Sequence, residues 1–260
     1  MNTAAVPGAQ LVARVAAVIE AVSAEPDKGI RTTDVAAAAG LSRPTAHRLL
    51  SSLQRVGYID RDETHGLWTL GPELYVLGMI AARRYEVTAR ARRSVAELAR
   101  ATGESAFFSI RRGDEVVCLL REEGSFPLRS FVLSEGSRFP LGVSSAGIAV
   151  LAYRSEDAVS EYLGRVDLEQ RWGPQHSTSQ VLERVEQTRE LGYSVNPGLI
   201  LEGSYGMAAA VFSRSGEPEW ALSITGVESR FRPERQAELG AILLDLAHDL
   251  SRQTAGTSSP

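Results

Sequence analysis

Apolar positions near the start of the chain fall at helical spacing: Leu11, Val15, Val18, Ile19 and Val22 make one stripe, which Pro26 and Gly29 close off. A shorter helix follows, capped by Thr32 or Thr33 and carried by Val35 and a run of alanines to Gly40, a residue suited to a left-handed helix end. Leu41 reads as the buried plug of the turn. Ser42 reads as the N-cap of a second helix, with Pro44 in its first turn, where a missing backbone N–H does no harm. Leu49, Leu50, Leu53 and Val56 give that helix its apolar face, and Gly57 ends it. The period then switches to alternation over 58–60 and 67–70, on either side of a polar turn at 61–66. Two helices across a glycine turn, followed at once by a strand pair, predict a winged helix-turn-helix.

Beyond Gly71-Pro72 a long helical stretch opens with Leu74, Leu77, Met79 and Ile80. It turns basic at Arg83, Arg84, Arg90, Arg92, Arg93 and Arg100, a run that reads as a solvated helix face. From Thr102-Gly103 onward the pattern mixes strands and helices. Strands are predicted at 105–111, 115–121 and 126–133, helices at 144–153, 156–163 and 179–191, and strands again at 193–196, 205–213 and 219–225. A closing amphipathic helix at 233–253 presents Leu239, Ile242, Leu243, Leu246 and Leu250 to the sheet. The fold class is α/β in the α+β sense.

The helix-turn-helix pattern carries its own chemistry, because the second helix of this motif sets its N-terminal end against base edges in the major groove. Opposite the leucines, the helix offers Arg43, Thr45, His47, Arg48, Ser51 and Ser52, side chains able to pair with phosphate oxygens or base edges. With the flanking positions and the wing, the candidate DNA-binding set is Thr32, Ser42, Arg43, Pro44, Thr45, His47, Arg48 and Arg61. The formal net charge of −4 over 260 residues argues against a basic protein as a whole. Residues 1–100, however, hold 13 Lys+Arg against 10 Asp+Glu, the remainder holds 15 against 22, and no acidic residue lies between Asp34 and Asp60. The basic excess therefore lies with the motif.

Composition narrows the remaining classes. No apolar run approaches the roughly 18 residues of a membrane span, and residues 1–10 lack a secretory signal pattern, so the chain reads as cytoplasmic with no membrane partner. A single cysteine, Cys118, leaves no internal disulfide and no thiolate cluster, and His47, His65, His176 and His248 show no ligand spacing. No metal and no cofactor are expected.

Taken as a whole, the chain resembles the IclR family of bacterial transcription regulators over roughly residues 9–252. The resemblance rests on Leu41-Ser42-Arg43-Pro44-Thr45-Ala46-His47-Arg48-Leu49-Leu50 with Gly57-Tyr58-Ile59, and on Trp68-Thr69-Leu70-Gly71. In the second half it rests on Arg138-Phe139-Pro140-Leu141-Gly142-Val143-Ser144-Ser145-Ala146-Gly147, Gly192-Tyr193-Ser194-Val195-Asn196 and Ala221-Leu222-Ser223-Ile224-Thr225-Gly226. The resemblance implies a winged helix-turn-helix DNA-binding domain at 1–71, a linker helix at 72–86, a GAF-like antiparallel-sheet effector-binding domain at 87–253 and a disordered tail at 254–260. It further implies a homodimer or homotetramer that binds a double-stranded operator, controls a catabolic operon and changes its DNA affinity with a small organic effector. Carried over by position, the effector site comprises Ser145, Ala146, Asn196, Gly206, Ser223 and Thr225, with Leu128, Phe131 and Ser204 as wall. Relatives that bind small oxoacids carry an acidic residue where this chain has Asn196 and a cysteine where it has Gly206, and Pro197-Gly198 replaces a following acidic pair. The expected effector is therefore larger or less acidic, an aromatic or hydroxylated intermediate.

An enzyme of the same fold class would need a nucleophile beside a base. The chain offers Cys118 within the apolar stretch Val116-Val117-Cys118-Leu119-Leu120, read as buried and inert, and His176, read as a surface loop residue. Glu202 and Asp114 form no carboxylate pair by spacing. The expectation is a regulator and not an enzyme; a module that acts through protein partners alone is the third reading, and it differs in showing no salt-sensitive duplex binding.

Overall fold

The computed structural model describes residues 10–82, 86–128 and 132–255, and by internal contacts the chain divides into two compact units, Met1–Tyr85 and Glu86–Pro260. The first unit runs α1 (Gln10–Ser23), β1 (Ile30–Arg31), α2 (Thr32–Ala38), α3 (Arg43–Arg55), β2 (Ile59–Asp62), β3 (Leu67–Leu70) and α4 (Pro72–Ala82). Its core joins Val18 and Val22 of α1, Val35 of α2, Leu50 and Leu53 of α3, and Ile59 and Trp68 of the sheet. The turn between α2 and α3 closes at Gly40, at φ +63°, where the Leu41 N–H returns to Ala36 O at 2.9 Å and the leucine side chain packs on the core. Behind the wing, Gly71 lets two backbone segments meet: a Cβ there would stand 2.2 Å from the Gly57 carbonyl oxygen. The three strands are antiparallel in the order β1-β3-β2.

The second unit runs α5 (Glu86–Thr102), β4 (Ser105–Arg112), β5 (Glu115–Glu122), β6 (Arg138–Pro140), α6 (Ser145–Ala152), α7 (Glu156–Arg165), α8 (Leu168–Trp172), α9 (Thr178–Leu191), β7 (Ser194–Pro197), β8 (Ser204–Phe212), β9 (Pro218–Val227) and α10 (Pro233–Ala255). Six strands form one antiparallel sheet in the order β6-β5-β4-β9-β8-β7. Alternation divides its residues between two faces. Phe107, Ala208 and Ala221 join α6, α7 and α9 in one core, and α5 and α10 pack together against β4, β8 and β9.

One buried charge ties the ends of that unit together. Glu104 is 2% exposed, and its Oε1 accepts from Arg230 Nε at 2.9 Å and Arg235 Nη1 at 2.8 Å. Arg235 Nη2 also donates to Thr102 O at 2.6 Å, and the Arg230 guanidinium lies 4.4 Å from the Phe126 ring centroid. The α5–β4 junction is thereby locked to the connection between β9 and α10.

Several expectations need correction. The strand predicted at 126–133 is absent among its described residues. The Phe126 N–H bonds instead to Gly103 O at 3.0 Å, Pro127 has no N–H to give a ladder, and β5 takes β6 as its partner, with Val116 opposite Phe139. Arg31 holds the N-cap position of helix α2, without a side-chain cap, so neither Thr32 nor Thr33 is the cap. The two-residue strand β1 and the short helix α8 escaped the pattern because neither is long enough to show a period; α8 nonetheless carries a cap signal, Asp167 Oδ1 accepting from the Gln170 N–H at 2.9 Å. Val56 is 55% exposed and does not join the apolar face of α3. Helix α10 continues through Thr254, whose hydroxyl donates to Phe212 O at 2.8 Å, so the described part of the expected tail is helical.

Replacing Glu104 with Ala removes two charge-assisted bonds at a buried site and is expected to lower stability by on the order of 3 kcal/mol in a urea unfolding series. An unchanged unfolding midpoint would exclude the lock.

Candidate functional site

The face of α3 opposite its buried Ala46, Leu50 and Leu53 is open. Ser42, Arg43, Pro44, His47 and Arg48 are exposed there, while Thr45 and Ser51 are half-buried. Ser42 does hold the N-cap backbone conformation, at φ −69° and ψ +146°, but its hydroxyl pairs with Thr45 Oγ1 at 2.9 Å instead of capping an N–H. The hydroxyl of Ser52 turns back to Arg48 O at 2.8 Å. Arg61 sits on β2 and not in the turn, with its guanidinium 5.2 Å from the Trp68 ring centroid. The hydroxyl of Thr32 accepts from Trp68 Nε1 at 2.9 Å. At the wing tip, Asp62 Oδ2 lies 2.6 Å from His65 Nδ1. That hydrogen bond, with a second from the Thr64 N–H, holds the Asp62 carboxyl below its ordinary range.

In the second unit, neighbouring strands bring Asn196, Gly206 and Thr225 into one row and Ser194, Ala208 and Ser223 into the next, with β4 continuing both rows. The start of α6 lies against this floor, and Ser144 caps the helix by accepting from the Gly147 N–H at 3.2 Å. Between them is a cavity of about 30 Å³, room for one or two waters. Ser145, Ala146, Asn196, Ser204, Gly206, Ser223 and Thr225 all line it. No charged side chain does so among the described residues.

The lining hydroxyls and amide differ in what they have left to offer. Asn196 is 6% exposed and already committed: Nδ2 donates to Val143 O at 2.8 Å, and Oδ1 accepts from the Leu199 N–H at 3.1 Å. Ser223 and Thr225 are 1% and 8% exposed, and their hydroxyl oxygens have no hydrogen-bond partner among the described residues. A buried hydroxyl without a partner costs about 1–3 kcal/mol, so this floor is built to meet something polar. The space left by Gly206 is not empty, since a Cβ there would lie 3.1 Å from Ser145 Oγ.

Leu128 is 62% exposed and does not line the cavity, because the segment expected to carry it along the sheet leaves the ladder at Phe126. Phe131 lies outside the described residues. Sequence reasoning missed other residues of the lining, among them Ser109, Cys118, Leu133, Phe139, Ile200 and Tyr205. Pairing of the predicted strands would have found two of these, since Ser109 stands opposite Cys118 across the β4–β5 ladder.

The candidate nucleophile and base do not form a catalytic pair. Burial, and then the Glu135 charge, push the Cys118 thiol up to about 12, and its S–H donates to Leu120 O at 3.5 Å. His176 is 1% exposed, not a surface residue: the 3₁₀ turn Pro174–His176 folds it inward, with Nδ1 3.0 Å from Trp172 O. Burial and then the Arg184 charge lower its pKa. Among the described residues no group of three His, Cys, Asp or Glu side chains could hold a metal ion, and no helix is long and apolar enough to cross a membrane.

A helix-turn-helix with a wing, and a six-stranded sheet with a cavity at a helix start, are the two parts of one known family. The family model described as Bacterial transcriptional regulator IclR C-terminal matches residues 79–252, and the IclR helix-turn-helix domain matches residues 11–63. The chain belongs to the IclR family of bacterial transcriptional regulators. It is 27% identical over 238 residues to the transcriptional repressor IclR of Escherichia coli K12, which covers 90% of this chain and 86% of that one. An IclR-type regulator from Alicyclobacillus acidocaldarius superposes with a TM-score of 0.79 at 26% identity, over 96% of this chain and 99% of its own. An IclR homologue from Microbacterium hydrocarbonoxydans, crystallised with 4-hydroxybenzoate, has a TM-score of 0.78 at 23% identity over 95% and 100% of the two chains. The winged helix-turn-helix is thus the DNA-binding part of an IclR-family regulator.

In this IclR-family chain Cys118 is expected to resist an alkylating reagent in the native state and to react within minutes once the protein is unfolded, as followed by mass spectrometry. Rapid labelling of the folded protein would overturn the inert reading of the thiol.

Proposed function

We propose that this protein is an operator-binding regulator whose DNA affinity is set by a small organic metabolite held in the cavity between the start of α6 and strands β7 to β9. In this reading 1–71 binds DNA, 72–86 is the linker, with 83–85 outside the described residues, 87–253 holds the effector, and the protein acts in the cytoplasm. The observation that carries the effector assignment is the pair of buried, unpartnered hydroxyls, Ser223 and Thr225, in a cavity whose described lining is uncharged. Such a floor suits an aromatic or hydroxylated compound better than a small, strongly acidic oxoacid, and 4-hydroxybenzoate in the Microbacterium relative is of this type. A ligand that contacts these walls better in one arrangement than in another shifts the equilibrium between them, which is how effector binding changes DNA affinity in this reading.

The DNA-facing reading assigns Arg43 and Arg48 to phosphate or guanine, with Ser42, Thr45 and His47 beside them. Homo-oligomer formation is supported by apolar side chains that the single chain leaves in water: Tyr75, Met79 and Ile80 on α4 are 72%, 55% and 58% exposed. A two-fold pair of recognition helices would then read half-sites about one helical turn apart.

Selection of duplexes from a random pool, at two salt concentrations, is expected to recover a near-palindromic site whose affinity falls as salt rises. Recovery of nothing above background, with and without metabolite pools, would overturn the reading. The double variant Arg43→Ala, Arg48→Ala should lose at least tenfold in affinity for that site and reduce the salt slope by about 2, with effector binding unchanged. Normal binding by this variant would mean that another face of the motif meets DNA. Ser223→Ala or Thr225→Val should do the reverse, abolishing the effector's effect while DNA binding persists. A thermal-shift panel in which glyoxylate-sized acids alone stabilise the protein would refute the effector class.

A further inference from the structure

Trp68 is fully buried, yet its indole reaches three of the residues assigned to the DNA-facing surface, each from a different element. Its Nε1–H donates to Thr32 Oγ1, at the start of α2, over 2.9 Å. The His47 imidazole on α3 meets it edge to face, with ring centroids 6.3 Å apart and planes at 81°. Its ring also carries the guanidinium of Arg61 on β2, 5.2 Å from the centroid, and Arg61 is the residue directly opposite Trp68 in the β2–β3 register. We propose that Trp68 is a positioning residue for DNA recognition, which sets the recognition helix, the start of α2 and the wing in one geometry through Thr32, His47 and Arg61. The inference rests on the DNA-facing reading above and adds a residue that does not itself touch DNA.

The physical argument is pre-organisation. His47 and Arg61 are exposed, and a free arginine surrenders much of its rotamer entropy when a phosphate fixes it. Held against an aromatic surface, it has surrendered part of that before DNA arrives, so the loss on binding shrinks. The buried indole N–H needs an acceptor, and Thr32 supplies it; this fixes the rotation of the ring and hence where its edge and face point. A change in the ring is therefore felt at His47 and at Arg61 together.

The test is a double-mutant cycle on duplex affinity with the full-length protein and the duplex recovered from the random pool. His47→Ala and Arg61→Ala are combined, first with Trp68 present and then in Trp68→Phe, with thermal unfolding recorded for every variant. The expected result is non-additivity of at least threefold in Kd with Trp68 present, falling to additive behaviour in Trp68→Phe, because residues without a shared partner ordinarily add. Thr32→Val is the second arm: it keeps the indole but removes its acceptor, and it should shrink the same coupling while circular dichroism is unchanged, which keeps the test decisive even if Trp68→Phe fails to fold. Additivity with Trp68 present overturns the proposal and leaves the DNA-facing assignment standing. If neither single variant weakens binding, the DNA-facing reading of these two residues falls, and the inference falls with it. If Trp68→Phe or Thr32→Val lowers the unfolding midpoint while the coupling stays intact, Trp68 is a core residue alone and the proposal is refuted.

Discussion

Helix α6 is buried along its whole length, from Ser145 to Ala152, and the second unit is arranged around that fact. A helix without a solvated face must satisfy both of its ends inside the protein. At the C-terminal end Arg189 Nε donates to Ala152 O at 2.7 Å. At the N-terminal end Ser144 caps the Gly147 N–H, and two side chains of β7 hold the approach: Ser194 Oγ donates to Ser145 O at 2.8 Å and Asn196 Nδ2 to Val143 O at 2.8 Å. The helix start is thus fixed over the sheet, and the cavity beside it lies between that start and a floor that carries hydroxyls.

The division of labour in that space follows the same logic. Asn196 lines the cavity, and its amide also holds the backbone that frames it. Ser223 and Thr225 alternate with the fully buried Leu222 and Ile224 on β9, so the strand that anchors the sheet also aims two uncommitted hydroxyls at the cavity. Gly206 and Ser145 share one volume, the absent side chain of the first making room for the hydroxyl of the second.

The first unit solves a different problem, holding a short helix and a wing rigid with a small core. Glycine at 40 and 71 allows the tight turn and the close backbone approach that bring α3 and β3 into register, and Trp68 fills the space between them. Its α4 is apolar on every side, with Tyr75, Val76, Leu77, Met79 and Ile80 all exposed, so no single face explains its composition. That exposed apolar surface is what the proposed pairing of chains would cover.

Much of this was legible in the sequence because it is local. Periods of 3.6 and 2, a serine before Arg43-Pro44, and glycines at 40, 57 and 192 act within a few residues, so α1, α3, α6, α9 and the strand pairs β2–β3, β4–β5 and β8–β9 follow from the sequence alone, as do the exposed Arg43, His47 and Arg48 and the shared strand face of Ser223 and Thr225, whose place at a cavity was implied only by the family resemblance. What only the tertiary structure decided is which polar groups are already spent. The commitment of Asn196 to Val143 and Leu199, of Thr32 to Trp68, and of Glu104 to Arg230 and Arg235 depends on partners far apart in the chain or on a loop's final path, as do the departure of Leu128 from the cavity wall and the burial of His176. A side chain's chemistry is written in its identity, but its remaining hydrogen-bond capacity is settled by the neighbours that folding brings to it.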